Sequence, residues 1–303
     1  MNQPNFFIVG APKCGTSAMQ NFLSQHPEIF MPEKKESHFF GRCLHHPLYV
    51  RDKKKYLSLF DLSDSKKCIG ESSVFYLSSE TAANEIYEFC QTSKIIIMLR
   101  NPVDMLYSLH SQYLYSGTED IVDFEEALAA ESERRKGNRI PRHLIGWKER
   151  LYYRNISNYF VHVERYIKIF GKDNVHIIIF DDFKKDVVGK VQAAYRFLCV
   201  DDEFRPTISI VNKNANTRSS FLRRALIYPG GLLRLIVKTL IPVKVLRKML
   251  RKYISRVNTE VVIRVDLDPI LRQKLSAEFD LQNKKLGELL GKDLSFWSSN
   301  NLE

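Results

Sequence analysis

The chain has 303 residues, of which 44% are hydrophobic and 27% are charged, and this suits one large globular domain with a buried core. Its formal charge of +11 favours anionic partners without choosing among nucleotides, acidic glycans, nucleic acid and a membrane surface. The five cysteines form no C-x-x-C pair and no Cys/His cluster at zinc spacing, and the N-terminus shows no signal-like apolar run. We therefore expect a reduced, cytoplasmic chain without a structural metal.

Three apolar runs alternate with helical patterns over the first two thirds of the chain. The runs are Phe6–Gly10, Lys94–Leu99 and Val175–Phe180. The helical patterns begin after the loop at residues 11–17, at Pro102, and over residues 158–170 and 187–198. Such alternation predicts an α/β fold with a doubly wound, mostly parallel sheet. Because ligands bind these sheets at the carboxyl ends of the strands, the loops after Gly10 and Leu99 are predicted to line the site.

Beyond about residue 205 the strand signal fades and the sequence becomes helical and basic. Residues 218–256 predict an amphipathic helix packed on the sheet, broken at Pro242, or alternatively a peripheral helix on a membrane surface. A final helix is predicted over Pro269–Leu290, capped by Gly291. We expect a single domain, with an α/β nucleotide-binding core over residues 1–205 and a mainly helical part over 206–303.

The loop at residues 10–17 (GAPKCGTS) has the Gly-x4-Gly spacing of a phosphate-binding loop. In nucleotide triphosphatases a lysine follows the second glycine, whereas here Lys13 stands inside the loop and Thr16 takes that position. The neighbouring strand ends in Arg100 instead of an acidic residue that could help to hold Mg²⁺. These positions suit a donor with phosphates at two separate places, neutralised by side chains without a metal.

Two motifs carry a family resemblance. Residues 12–17 (PKCGTS) resemble the 5′-phosphosulfate loop of the sulfotransferases that use 3′-phosphoadenosine 5′-phosphosulfate (PAPS), and residues 99–108 (LRNPVDMLYS) resemble that family's 3′-phosphate motif. The resemblance implies PAPS as the donor, a P-loop-like fold and adenosine 3′,5′-bisphosphate (PAP) as a product, with no metal. The donor-binding residues that it implies are Lys13, Cys14, Gly15, Thr16, Ser17, Arg100 and Ser108.

Within these motifs the resemblance assigns separate roles. Lys13 would neutralise the bridging oxygen on which leaving-group charge develops. Thr16 and Ser17 would hold the 5′-phosphate, while Arg100 and Ser108 would hold the 3′-phosphate. Ser108 stands eight residues after Arg100, a little over two helical turns, so the two side chains can share one face.

Residues 34–40 (KKESHFF) resemble the Lys-Glu-x-His-Phe-Phe segment of the glycan-modifying sulfotransferases, in which the glutamate is the base. This implies Glu36 as the catalytic base, with His38 beside it in the site. If the segment is extended, both side chains point to the same side, because side chains alternate along a strand. His110 is the alternative base, since sulfotransferases of phenols and steroids use a histidine.

Two further segments bear on the acceptor and the donor. In residues 70–77 (GESSVFYL), Ser72 stands where glycosaminoglycan enzymes commonly carry lysine, which argues against heparan-like acceptors and leaves other carbohydrates. Lys213 and Arg218 align with a late loop that reaches over the nucleotide in this family, so the resemblance implies them as further donor ligands.

Together these features predict direct in-line transfer of a sulfuryl group from PAPS to a hydroxyl or amine. A carbohydrate is the favoured acceptor, followed by a lipid-linked or small-molecule hydroxyl. A P-loop kinase is the first alternative and predicts dependence on Mg²⁺ and ATP. A non-catalytic basic binding protein is the second, but it gives no reason for the positions of Lys13, Arg100 and Ser108. No RNA- or DNA-binding module is recognisable, and we expect no nucleic-acid partner.

Overall fold

The computed structural model describes residues 2–208, 215–217, 259–261 and 265–298, together with positions 239, 246, 249, 253 and 254. The chain divides into two compact units. Unit 1 comprises Met1–Leu106, Tyr152–Val211 and Asp268–Glu303, and unit 2 comprises Tyr107–Leu151 and Asn212–Leu267. The single domain with a core through residue 205 stays a prediction.

A parallel sheet of five strands lies in unit 1. The strands are β1 (Phe6–Gly10), β2 (Ile29–Phe30), β3 (Cys68–Ser72), β4 (Lys94–Leu99) and β5 (Val175–Ile179), in the order β2-β3-β1-β4-β5. All neighbouring pairs are parallel, and Phe7 of β1 is in register with Glu71 on one side and Ile95 on the other. The loop after β1 therefore lies where the strand order reverses, which is the usual ligand position in open α/β sheets. The predicted α/β fold with a mostly parallel sheet is confirmed.

The central strands form because their side chains are apolar on both faces. Residues 6–9 of β1 and 95–99 of β4 are buried almost completely, as expected for strands covered by helices on both sides. Each large apolar side chain buried in this way contributes roughly 1.5–3 kcal/mol. Two strands are not predicted from apolar runs in the sequence. β2 has only two residues, and β3, with the sequence CIGES, contains buried polar side chains.

Helices connect and cover the strands. They are α1 (Thr16–Leu23), α2 (Lys53–Leu57), α3 (Ala82–Phe89), α4 (Pro102–Ser116), α5 (Phe124–Ala129), α6 (Glu131–Arg135), α7 (Tyr153–Ile156), α8 (Tyr159–Phe170), α9 (Phe180–Lys185), α10 (Val187–Leu198) and α11 (Pro269–Leu290). Short 3₁₀ turns occur at Ser58–Phe60, Lys148–Leu151, Lys172–Asn174 and Ser295–Trp297. The predicted helices after the first and second apolar runs, and those at 158–170 and 187–198, are confirmed.

The predicted C-terminal helix is confirmed as α11, and its ends follow from local chemistry. Asp268 caps the start by accepting the Leu271 N–H at 2.9 Å, and Pro269 occupies the first turn, where a missing N–H removes no helical bond. Gly291 ends the helix with a left-handed φ of 63°. The helical C-terminal region is therefore present.

The rest of the C-terminal part is described only in places. Short strands β6 (Ala215–Thr217) and β7 (Thr259–Val261) form an antiparallel pair in unit 2, a feature that the fading strand signal does not predict. The predicted basic segment 218–256 lies outside the described residues, apart from the isolated positions. Within the described part of the chain, no helix is both long and apolar enough to cross a membrane.

Candidate active site

The loop after β1 has the form of an anion cradle. Gly15 precedes α1 with a φ of 88°, and a Cβ at this position would stand 3.0 Å from two ring carbons of Phe180. A side chain would therefore be strained by both its backbone angle and this contact. The N–H groups of Thr16 and Ser17 belong to the first turn of α1, where no helical acceptor exists and the helix dipole favours anions. These features fit the phosphate groups of a PAPS-like donor.

Lys13 and Cys14 occupy the same loop but differ in environment. Lys13 is half-buried, with a left-handed φ of 61°. Cys14 is fully buried, and its Sγ lies 3.3 Å from the carbonyl oxygen of Pro12 and 3.9 Å from the hydroxyl of Tyr159. Burial raises the pKa of the Cys14 thiol to about 12, so it stays protonated at neutral pH. Because the side chain of Cys14 is fully buried, its backbone N–H is the group that could contact a donor.

Arg100 follows β4 and lies over the ring of Phe180. Its guanidinium carbon is 5.1 Å from the ring centroid, and its Nη2 is 3.8 Å from Oδ2 of Asp104. Arg272 donates to the other oxygen of Asp104 at 2.7 Å. Because Phe180 also faces Gly15, its ring joins the loop at residues 10–17, called the donor loop below, to Arg100. Sequence reasoning missed this role, since an aromatic residue that ends an apolar run indicates core packing.

Ser108 and His110 lie on the part of α4 that belongs to unit 2. Ser108 is buried, and its predicted cooperation with Arg100 at a 3′-phosphate stays a prediction. The Nε2 of His110 is 2.9 Å from the carbonyl oxygen of Ile121, and the His110 ring contacts Phe124 at a centroid distance of 5.3 Å. Burial lowers the pKa of His110. His110 is therefore packed against other residues of unit 2.

The segment 34–40 is not extended, so the expected alternation of its side chains is wrong. Glu36 and His38 both have left-handed backbone angles, with φ of 61° and 45°. Non-glycine residues adopt this region rarely, and here backbone hydrogen bonds hold it. The N–H of Glu36 donates to the carbonyl of Ser72 at 3.0 Å, and the N–H of His38 donates to Oγ of Ser73 at 3.1 Å. The side chains still meet, with His38 Nε2 3.3 Å from Glu36 Oε2.

Glu36 is the accessible member of this pair. Its side chain is 34% exposed, against 3% for His38. The ring of His38 is stacked on Tyr49 with centroids 4.2 Å apart, while Glu36 Oε2 also accepts the N–H of Val74 at 3.1 Å. The arrangement can therefore present a held carboxylate to a hydroxyl or amine, with His38 orienting it from the interior.

Lys35 is a site residue that sequence reasoning missed. Its Nζ donates to Oγ1 of Thr16 at 2.8 Å and to Oγ of Ser17 at 2.9 Å, and it lies 3.3 Å from Oε1 of Glu36. Burial lowers the pKa of the Lys35 ammonium, and the neighbouring Glu36 carboxylate opposes that shift. In an extended segment Lys35 and Glu36 would point to opposite sides. The left-handed turn at Glu36 lets the two side chains meet beside the donor loop.

Glu71 of β3 supports the segment 34–40 through hydrogen bonds. This fully buried carboxylate accepts hydrogen bonds from Oγ of Ser37 at 3.0 Å and Oγ of Ser73 at 2.5 Å. Burial raises the pKa of Glu71 to about 7, although these hydrogen bonds oppose the shift. Ser37 separates Glu36 from His38 along the chain, and Ser73 accepts the His38 N–H. Glu71 is thus linked to the backbone that carries Glu36.

The remaining donor-ligand predictions, Lys213 and Arg218, lie outside the described residues. Across residues 2–208, 265–298 and the shorter described pieces, no three His, Cys, Asp or Glu side chains group so as to hold a metal ion.

Comparison with known proteins places this geometry in a family. Residues 3–219 match the family model described as a sulfotransferase domain. The crystal structure of a sulfotransferase from Alicyclobacillus acidocaldarius is 30% identical to this chain, with a TM-score of 0.73, and the match covers 99% of this chain and 100% of that one. The match therefore extends over almost the full length of both chains.

Two curated relatives match over shorter spans. The membrane-associated sulfotransferase kil1 of Dictyostelium discoideum is 31% identical over 115 residues, which is 37% of this chain and 23% of that protein. Carbohydrate sulfotransferase 15 of Mus musculus is 25% identical over 249 residues, covering 64% of this chain and 43% of that protein. The chain thus spans less than half the length of these curated relatives. The family model includes the donor loop, the segment 34–40 and Arg100, so this chain belongs to the sulfotransferase family, as its two phosphate-binding motifs predict.

Proposed function

We propose that this protein transfers the sulfuryl group of PAPS to a hydroxyl or amine of a carbohydrate. One observation carries the proposal: the donor loop and the Glu36 carboxylate lie together in unit 1, bridged by the Lys35 ammonium at 2.8–3.3 Å. An anion cradle and an accessible carboxylate on one site are what sulfuryl transfer requires, because the donor is anionic and the acceptor must lose a proton.

The donor loop supports the first half of the reaction. The first-turn amides of α1 and the hydroxyls of Thr16 and Ser17 would hold the 5′-phosphate, and Arg100 would hold the 3′-phosphate through its fork of N–H donors. Lys13 would neutralise the phosphate oxygen that becomes the leaving group. PAPS itself supplies the activated sulfuryl group.

The segment 34–40 supports the second half. Glu36 would accept the acceptor's proton while the acceptor oxygen or nitrogen forms its bond to sulfur. The bond between sulfur and the bridging phosphate oxygen breaks in the same step, and its electron pair leaves with PAP, so one proton and one electron pair are accounted for. His38 and the N–H of Val74 hold the Glu36 carboxylate in position for this proton transfer.

A carbohydrate acceptor is supported by two observations outside the donor loop. Residues 34–40 resemble the base segment of glycan-modifying enzymes, and one relative bears the name carbohydrate sulfotransferase. Ser72, in place of the lysine common in glycosaminoglycan enzymes, directs the proposal towards carbohydrates other than heparan-like chains.

The proposal is tested by incubating the protein with ³⁵S-labelled PAPS and a panel of acceptors. The panel contains chondroitin and heparan chains, neutral oligosaccharides and a simple phenol, with and without a chelator. We expect chelator-insensitive label on a carbohydrate. Transfer of phosphate from ATP with Mg²⁺, with no transfer of label from PAPS, would establish the kinase alternative instead.

A further inference from the structure

We propose that Lys35 binds the sulfuryl group of the donor, so that one ammonium contacts the donor loop, the transferring group and the base. This inference rests on the proposed function and adds a residue to it. Its starting point is position: Lys35 Nζ stands between the hydroxyls of Thr16 and Ser17 on one side and the Glu36 carboxylate on the other.

The hydroxyls of Thr16 and Ser17 keep hydrogen-bonding capacity for the donor, whereas the Lys35 ammonium must exchange one of its partners to contact it. A lysine ammonium has three N–H donors, and Lys35 has three partners here. The hydroxyls of Thr16 and Ser17 accept from Lys35, so each keeps its own proton to donate to a phosphate oxygen. The ammonium therefore lies one hydrogen bond beyond the hydroxyls proposed to hold the 5′-phosphate.

The chemistry of transfer also requires the sulfuryl group to lie beside Lys35. This group is attached to the 5′-phosphate and must face the acceptor whose proton goes to Glu36. It therefore occupies the space between the donor loop and Glu36, which Lys35 spans. When the donor binds, Lys35 can turn one N–H from a hydroxyl to a sulfuryl oxygen without leaving its position. Lys13 would then serve the bridging oxygen, and Lys35 the oxygens of the transferring group.

The exposure of Lys35 suits contact with a ligand. Its side chain is 20% exposed, so it is held by the site yet reachable from solvent. Lys34 precedes it directly and is exposed, which provides a matched control of the same residue type and charge.

PAP and PAPS differ only in the sulfuryl group, so their affinities isolate its contacts. Calorimetric dissociation constants for both nucleotides would be measured on the wild type, K35A, K35Q, K35R and K34A, with thermal melting to verify folding. We expect K35A and K35Q to weaken PAPS about tenfold or more, as for loss of a charge-assisted hydrogen bond, and to change PAP less than about threefold. K35R should restore much of the PAPS affinity, and K34A should bind both nucleotides as the wild type does.

Other patterns overturn the inference. If K35A and K35Q weaken PAP as much as PAPS, Lys35 only tethers the donor loop. If neither nucleotide is affected, Lys35 makes no donor contact. Should K35A fail to fold, K35Q and K35R decide the same comparison. A wild-type protein that binds neither PAP nor PAPS removes the proposed function itself, which distinguishes that failure from failure at Lys35.

Discussion

The donor loop and the segment 34–40 meet at one site but acquire their shapes in different ways. The loop is specified locally: a lysine and a glycine at a left-handed position precede a helix that begins with two hydroxyl residues. The segment contains no glycine at its two left-handed positions and depends on hydrogen bonds that its N–H groups donate to Ser72 and Ser73 near the end of β3. One half of the site can thus be identified from a short motif, whereas the other half requires the folded sheet beside it.

The largest expected effect comes from removing the proposed base in the segment 34–40 while leaving the donor loop intact. We expect E36Q to lower kcat by about 10²–10⁴-fold, the usual contribution of acid–base catalysis, while PAP affinity changes little. Steady-state kinetics and PAP calorimetry on the same preparation measure both quantities. A parallel loss of PAP affinity would show that Glu36 supports the donor loop instead of accepting the acceptor's proton.

Removing the loop lysine tests the other half. We expect K13A to lower kcat by about 10²–10³-fold, because a cation on the leaving oxygen acts most strongly in the transition state. K34A, which removes an exposed lysine of the neighbouring segment, is the control and should turn over as the wild type does. Near-normal turnover by K13A would exclude this role for Lys13.

The buried anchor of the segment predicts a dependence of stability on pH. The pKa of Glu71 rises from 4.5 to about 7 on folding, so between these values the folded state binds the proton more tightly than the unfolded chain. The contribution of Glu71 to the free energy of unfolding therefore falls as pH rises through that range, by up to about 3 kcal/mol. E71Q cannot ionise and lacks this decline.

Urea unfolding at pH 5 and pH 8 measures the effect. The free energy of unfolding of E71Q minus that of the wild type should be larger at pH 8 than at pH 5. The exposed Glu88→Gln is the control for removing a carboxylate. If E71Q and the wild type differ in stability by the same amount at both pH values, Glu71 is ionised to the same extent in the folded and unfolded proteins.

The smallest expected effect concerns the glycine of the donor loop. G15A should lower the free energy of unfolding by about 1–2 kcal/mol through its left-handed angle, with a further loss from contact with Phe180 and weaker PAP binding. G291A is the control. Gly291 also has a left-handed φ, but a Cβ added there would meet no atom within 4 Å, so its loss of stability measures the backbone strain alone. If the two variants lose equal stability and G15A binds PAP normally, the close approach at Gly15 has no role.

Sequence reasoning reached the parallel sheet, the donor loop and the position of Arg100 because these depend on apolar runs and on residues adjacent in the chain. The resemblance predicts Glu36 and His38 as site residues, and their catalytic roles stay predictions. The alternation expected for their side chains is wrong, since their backbone angles depend on tertiary hydrogen bonds. Lys35 and Phe180 were missed for a related reason. Each acquires its role from a residue that is distant in sequence, and neither a basic run nor an apolar run indicates such a contact.

The most direct test of the central claim is calorimetric titration of the wild-type protein with PAP and, separately, with ATP and Mg²⁺. A donor loop built for sulfuryl transfer predicts PAP binding that is unaffected by a chelator and much tighter than binding of ATP with Mg²⁺. Tight, metal-dependent binding of ATP without any response to PAP would contradict it.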